Sequence, residues 1–375
     1  MKFVFVANLS WNFYNYRLPL ITALKDAGHE VVLLAPRDGY TSRLTAAGFR
    51  SAHVPMSQRG TNPLSEAATL LHIYRFYRLE RPHIVHHFTP KAVIYGSLAA
   101  RAAGVPRIIN TITGLGYVFT EDARRDWSLR PLTLRLYRIA LANTVVLFQS
   151  AADMSRLTTL LGGGGKNFKL LAGSPVNLAK FKPEPEPEGT PVVMMAGRLL
   201  REKGVEYFVE GARILRRDAV PARFVLVGKP DEGTRDGLTT PRIRAWADEG
   251  VLEWWGWRDD MEVVYPQAHI VCLPTYYAEG VPRSLVEAAA CGRAIVATDI
   301  PGCRQVVRHG ENGLLVPPRD APRLAEAIGL LLRDPKRREA MGAKGREIAM
   351  RDFTSKQHLA EYFAVYGLSD PAPQD

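Results

Sequence analysis

The stretch "FKPEPEPEGT", residues 181–190, divides this chain. Proline at every second position removes backbone donors and fixes φ, so neither a helix interior nor a central strand can form there. It reads as a linker. Before it, "KFVFVANL", "VVLLAP", "SAHVP", "HIVHHF", "RIINTI" and "TVVLFQS" are short β-rich runs. They are near-continuously apolar, as strands covered on both faces are. Between them "YRLPLITALKDAGH", "NPLSEAATLLHIYRFYRLE" and "KAVIYGSLAARAAG" repeat apolar residues at helical spacing. After the linker the alternation restarts with "PVVMMAG", "ARFVLVG", "LEWWGW", "HIVCLPT" and "AIVATDI", separated by helices such as "VEYFVEGARILRRD". Alternating strand and helix implies parallel sheets with helices on both faces.

A length of 375 residues accommodates two such domains. We therefore expect one domain over residues 1–182, a second over 183–352, and a closing helix in 353–375, "SKQHLAEYFAVYG", packing back toward the first. Two open α/β domains in tandem are expected to leave a cleft between them, with ligands beyond the carboxyl ends of the strands. The composition, 46% apolar and 23% charged, is that of an ordinary soluble enzyme. Cys272, Cys291 and Cys303 lack CxxC spacing and suit reduced thiols in the cytoplasm. The opening "MKFVFVANLSWNF" reads as a buried strand and not as a leader, because Asn8 breaks its apolar run and no small-residue cleavage site follows. "LRLYRIALANTVVLF" carries Arg135 and Arg138 and is too short to span a bilayer.

Charge is unevenly spread. Residues 1–182 hold 23 Lys+Arg against 9 Asp+Glu, and the remainder 26 against 29. A basic first half suits nucleic acid, anionic lipid or a phosphorylated substrate; a merely solubilising surface is the plainer alternative. No nucleic-acid-binding module or zinc spacing accompanies the charge, so no nucleic-acid partner is expected.

Two stretches of the second half carry chemistry. In "MMAGRLLREKG", residues 194–204, a strand ends at Gly197, followed by Arg198 and, at an expected helix start, Lys203. Two cations beside helix-terminal N–H groups suit a diphosphate; two solvated surface cations are the alternative. In "PTYYAEGVPRSLVEAAACG", residues 274–292, Glu279 precedes a helix and Glu287 lies inside it. Gly280 lets backbone approach a ligand closely, and the helix's first N–H groups are unpaired. An ionised carboxylate only accepts hydrogen bonds, and vicinal hydroxyls donate them. Glu287 is thus placed for a ribose diol and Glu279 for sugar hydroxyls, the order of a nucleotide sugar. For either glutamate alone, a helix or surface carboxylate is the commoner role.

"GRLLREKG", "EGVPRSLVEAAACG" with its E-x(7)-E spacing, and "GENGLLVPPRD" together resemble the retaining glycosyltransferases of family 4. That resemblance spans essentially the whole chain. It implies the α/β GT-B fold, two Rossmann-like, doubly wound parallel-sheet domains facing across a cleft. It further implies that Arg198, Lys203 and Glu279 are catalytic. Donor binding would fall to Gly197, Arg198, Lys203, Gly228, Glu279, Gly280, Val281, Pro282, Ser284, Leu285 and Glu287. The base would lie near "VGKPDEG" and "WWGWRDD". The family needs no metal and no cofactor; Asp259 and Asp260 are adjacent, unlike a DxD motif, and are expected to cap the helix "MEVVYPQ".

"HHFTPKAVIYGSLAARAAGVPRIINTITGLGYVFT", residues 86–120, resembles bacterial members that extend undecaprenyl-diphosphate-linked saccharides at the inner face of the cytoplasmic membrane. The implied partners are a nucleotide-sugar donor, a lipid-linked saccharide acceptor and an anionic membrane surface. Candidate acceptor contacts are Asn8, Phe13, Tyr16 and Arg17 around "WNFYNYRLP", together with His86, His87, Lys91, Thr113 and Gly114. An aromatic cluster packed on the first helix, and strand-end histidines satisfied internally, are the alternatives. "NLSWNFYN" lacks the Gly-Gly of many relatives, and "LGGGGKNF" lacks the Ser or Thr of a phosphate loop and reads as a connection. The donor is expected to be a uridine diphosphate hexose or N-acetylhexosamine. Guanosine diphosphate mannose, a soluble acceptor, or a nucleotide-sugar epimerase are the rival readings.

Overall fold

The computed structural model describes residues 1–57, 62–113, 130–163, 165, 167–171, 175–232, 237–276 and 280–369. The chain forms two compact units, Met1–Ala172 with Lys356–Asp375, and Gly173–Ser355. Each is built on one sheet, and every pairing between its strands is parallel.

In the first unit the strands are β1 (Lys2–Val6), β2 (Glu30–Ala35), β3 (Arg50–His53), β4 (Ile84–Phe88), β5 (Arg107–Ile112), β6 (Val145–Phe148) and β7 (Phe168–Leu170). Their order is β3-β2-β1-β4-β5-β6-β7. β4 is buried at every position, its two histidines included. The period-2 pleat splits β1 between two cores. Phe3 and Phe5 pack with Leu359, Tyr362 and Tyr366 of helix Ser355–Tyr366. Val4 and Val6 pack under helices Pro63–Glu80 and Pro90–Ala103.

In the second unit the strands are β8 (Val192–Ala196), β9 (Arg223–Val227), β10 (Glu253–Gly256), β11 (Ile270–Leu273), β12 (Ala294–Thr298) and β13 (Gly313–Val316). They run β10-β9-β8-β11-β12-β13. In each sheet the strand order reverses once beside the first strand, between β1 and β4 and between β8 and β11. Such switch points are where open α/β sheets leave a crevice for ligand.

The proline–glutamate stretch belongs to the second unit, which begins upstream of Lys182. The Val176 backbone pairs with Thr354, and Phe181 is buried in the second core. Three arginines then clamp the stretch. Arg346 donates to the Phe181 carbonyl, Arg293 to the Glu184 carbonyl and Arg338 to the Glu186 carboxylate. A segment without its own backbone ladder is held by side chains, which explains why prolines are tolerated there. β7 and β13 were not anticipated: the first is three residues long, and the second follows a turn inside "GENGLLVPPRD".

Candidate active site

At the carboxyl end of β8, Gly197 adopts φ +152° and donates its N–H to the Val227 carbonyl at 3.0 Å. A Cβ placed on Gly228 would lie 2.0 Å from the Gly197 oxygen, so the loops leaving β8 and β9 meet backbone to backbone. The Gly228 N–H donates to Gly256, and Trp254 Nε1 donates to Gly228 O at 2.8 Å. The two segments expected to flank a base, around residues 228–232 and 254–260, are thereby joined.

The chain then makes a tight turn at Arg201–Lys203, and Gly204 at φ +82° leads into helix Val205–Arg217. Lys203 therefore lies in the turn ahead of the helix, not within the helix start. Arg198 is exposed, with its Nη1 3.9 Å from Asp231. This turn is stapled to the loop after β11. The Tyr276 N–H and the Thr275 hydroxyl both donate to the Glu202 carbonyl, at 3.0 and 3.1 Å. Thr298, at the end of β12, donates to the Thr275 carbonyl. A Cβ on Gly204 would stand 2.0 Å from Pro274 O, so only glycine permits the approach. The guanidinium of Arg319 sits 4.5 Å above the Tyr276 ring. The turn that carries Lys203 and the first residues of the loop after β11 thus meet at the β8/β11 switch.

Glu279 lies outside the described residues; Gly280, Val281 and Pro282 lead into helix Arg283–Ala290. Pro282 contributes no side-chain cap, and acidic residues are absent from the first turn. The N-terminus, with Ser284 and Leu285, therefore keeps its partial positive charge for an anion. Glu287 is 7% exposed. It accepts from Arg283 Nε at 2.6 Å, one turn earlier, and from the Tyr265 hydroxyl. Burial raises its pKa, and the opposing pull of Arg283 and Tyr265 does not cancel that. Tyr265 was missed from sequence because it is brought in from a distant turn. Arg283 was legible, since Arg and Glu four apart on a helix are neighbours.

Asp260 occupies the position before helix Met261–Val264 but does not cap it. Its carboxylate takes both Nε and Nη2 of Arg258, at 2.7 and 2.5 Å. Among the described residues no group of three His, Cys, Asp or Glu could hold a metal ion, and no helix is long and apolar enough to cross a membrane.

The acceptor-side candidates divide. Phe13 is fully buried and meets Phe88 edge-on. Arg17 is 2% exposed; its guanidinium lies 4.5 Å over the Phe88 ring, and Nη1 donates to the Tyr362 hydroxyl at 3.1 Å. His86 bonds Tyr366 through Nδ1 and Thr111 through Nε2, at 2.6 and 2.7 Å. His87 bonds Tyr77 through Nε2 and Asn110 through Nδ1, at 2.9 and 2.8 Å. Desolvation pushes both histidines down, His87 to about 4. β4 is buried on both faces and turns His86 and His87 inward on opposite sides, while Phe13 and Arg17, in the helical turn Phe13–Arg17, pack onto Phe88; all four face the interior and not an acceptor. Lys91 is half-buried, and its ammonium donates to Glu66 at 2.6 Å and Ser57 at 3.0 Å. Tyr16 packs edge-on against Trp11 and stays half-exposed, as does Asn8. Thr113 is exposed, and Gly114 lies outside the described residues.

Comparison with known proteins follows the same division. A family model described as "Glycosyl transferase 4-like" matches residues 2–150, and one described as "Glycosyl transferases group 1" matches residues 177–348. A Campylobacter jejuni N,N'-diacetylbacillosaminyl-diphospho-undecaprenol alpha-1,3-N-acetylgalactosaminyltransferase is 28% identical, the alignment covering 90% of this chain and 91% of that one. A galactosyltransferase from Escherichia coli, acting from UDP-Gal on alpha-D-GlcNAc-diphosphoundecaprenol, is 24% identical over 80% of this chain and 79% of its own. A GDP-mannose-dependent mannosyltransferase of phosphatidylinositol monomannoside from Mycobacterium tuberculosis is 26% identical, with 85% and 84% covered. Among solved structures, Anabaena HepE in complex with UDP and glucose superposes with a TM-score of 0.80 at 19% identity, over 98% of this chain and 99% of that one. With a matching model on each sheet and the GT-B fold, the chain belongs to the family 4-type, group 1 glycosyltransferases.

Proposed function

We propose that this glycosyltransferase moves a hexose or N-acetylhexosamine from a uridine diphosphate sugar to a polyprenyl-diphosphate-linked saccharide, retaining the anomeric configuration. The observation that carries the donor side is the staple between Glu202 and residues 275–276. It brings the Arg198–Lys203 turn to the loop that leads into helix Arg283–Ala290. In this reading Arg198, Lys203 and the helix N-terminus stabilise the charge that grows on the departing diphosphate, a preorganised electrostatic contribution. Glu287, oriented by Arg283, holds the ribose hydroxyls, and Glu279 holds the transferred sugar. The leaving phosphate takes the acceptor's proton, so neither a metal nor a separate protein base is required.

On the acceptor side, the Campylobacter and E. coli relatives, both named for diphospho-undecaprenol substrates, support a lipid-linked saccharide. So does the excess of cations in residues 1–182. The enzyme would then work peripherally, at the inner face of the cytoplasmic membrane. A guanosine diphosphate mannose donor is the second reading, favoured by the mycobacterial relative. The test is a donor screen with polyprenyl-diphosphate-linked saccharides, with and without chelator, followed by mass and anomeric analysis of the product. A lipid-linked product one sugar longer from the uridine donor, formed equally in chelator, is expected. Transfer only from guanosine diphosphate mannose, only to a soluble acceptor, or conversion of the donor without any acceptor, overturns this reading.

A further inference from the structure

Helices Pro63–Glu80, Pro90–Ala103 and Arg130–Leu141 form one layer, the second packing between the other two. They cover the side of the first sheet opposite helix Ser355–Tyr366. The outer surface of this layer is unusual in two independent ways. Large apolar side chains stand exposed in register. Leu64 (83% exposed), Leu71 and Leu79 (80%) follow one stripe of the first helix, and Leu132 and Ile139 lie seven apart on the third. Arginines interleave them: Arg75 and Arg78 on the first helix, Arg135 on the third, all exposed.

Acids are scarce among the described residues of this surface. Across the three helices the only carboxylates are Glu66 and Glu80, and both are already paired, Glu66 with Lys91 and Glu80 with Lys2 and Arg50. Arg75, Arg78 and Arg135 make no ion pair among the described residues. The second unit treats its arginines differently. Arg213 meets Glu249, Arg223 meets Glu253 and Arg323 meets Glu326 on the surface. Unpaired cations on one face repel one another unless a counter-anion is supplied from outside, and exposed leucines between them gain only from an apolar medium.

We propose that this helical layer is the surface on which the enzyme lies against an anionic lipid bilayer, the leucines entering the headgroup boundary and the arginines meeting lipid phosphates. Charge complementarity argues for this occupant. Nucleic acid would satisfy Arg75, Arg78 and Arg135 but offers the intervening leucines nothing. The inference deepens the proposed lipid-linked reaction and rests on it for its setting.

The test uses the full chain and extruded vesicles of phosphatidylcholine with or without phosphatidylglycerol, in a sedimentation assay without substrate. Binding is expected only to the anionic vesicles and to weaken with salt. Each of Arg75→Ala, Arg78→Ala and Arg135→Ala should lower partitioning roughly fivefold. Leu71→Ser with Leu79→Ser should abolish most of it, while Arg213→Ala on the second unit leaves it unchanged. All these side chains are exposed, so melting temperatures should hold; a variant that does not fold is replaced by the other substitutions. Unaltered vesicle binding in the leucine and arginine variants, equal binding to neutral vesicles, or a DNA duplex bound with the leucine variants unaffected, overturns the proposal. Transfer to a water-soluble, short-chain acceptor is measured in parallel. Failure of that reaction with intact vesicle binding strikes the functional reading and not this surface.

Discussion

Arg283 donates its Nε to Glu287 Oε1 at 2.6 Å, one helical turn below, and holds a carboxylate that is otherwise almost sealed from water. Burial makes the charged form of Glu287 costly, and Arg283 with Tyr265 offsets this only in part. The folded protein therefore keeps a proton on this carboxyl to a higher pH than the unfolded chain does. The sign follows: its contribution to stability falls as pH rises from the unfolded carboxyl value near 4.5 through the raised folded one. Glu287→Gln should remove that decline in a series of urea melts and leave the ligand-free protein no less stable at neutral pH. In the proposed reaction the same change loses a hydrogen-bond acceptor for ribose, lowering kcat/KM. A pH–stability slope identical in wild type and variant would refute this account of Glu287.

Lys203→Ala should behave in the opposite sense. The side chain is half-buried in a turn outside the core, so stability should fall by no more than about 1 kcal/mol. Steady-state turnover should fall by about 10²–10³, the loss expected from one preorganised donor at a leaving group. Turnover within a factor of two of wild type would remove Lys203 from the diphosphate site.

Gly204→Ala tests the staple between the two loops. The residue holds φ +82°, and an added Cβ would press on the Pro274 carbonyl. The strained backbone alone costs about 1–3 kcal/mol, and relief requires the 201–204 turn to leave the β11 loop. We expect a lower melting temperature together with a raised KM for the donor. A variant that melts as wild type and binds donor normally would mean that the close approach is dispensable.

The buried histidines predict acid sensitivity. Desolvation, with Arg17 nearby, holds His86 well below its ordinary value, and desolvation takes His87 to about 4. In the unfolded chain both accept protons below about pH 6.5, so stability contributed by the neutral rings is full above that pH and drains as pH falls toward the folded values. Each ring contributes up to about 1.4 kcal/mol per pH unit in that window. Chemical denaturation at stepped pH should show this slope, and His87→Gln should reduce it by one proton's worth. Tyr366→Phe, which deprives His86 Nδ1 of its partner, should cost about 1–3 kcal/mol at neutral pH. A flat profile between pH 6.5 and 4.5 would contradict the buried neutral rings.

What this sequence determined alone was set by local pattern. Uninterrupted apolar runs such as "PVVMMAG" had to be covered on both faces, which required parallel sheets and helices between strands. The placing of Arg198 after a strand and the start of the helix at Arg283 followed from strand ends and from Pro282, whereas Lys203, read at a helix start, stands in the turn ahead of it. Tertiary structure decided matters that depend on which distant segments meet. His86 and His87 carry no local sign of whether a strand end opens to solvent; the answer lies with Tyr366, Thr111, Tyr77 and Asn110, four residues scattered across the fold. Arg17 is hidden because Tyr362, 345 positions away, packs on it. The "FKPEPEPEGT" stretch lacks a backbone ladder in any context, but only the remote Arg293, Arg338 and Arg346 could turn it from a free tether into a clamped strap. Side-chain period reveals which face of an element is apolar; partner identity is a property of the packed whole, because the groups that remove a side chain from water are rarely its neighbours in sequence.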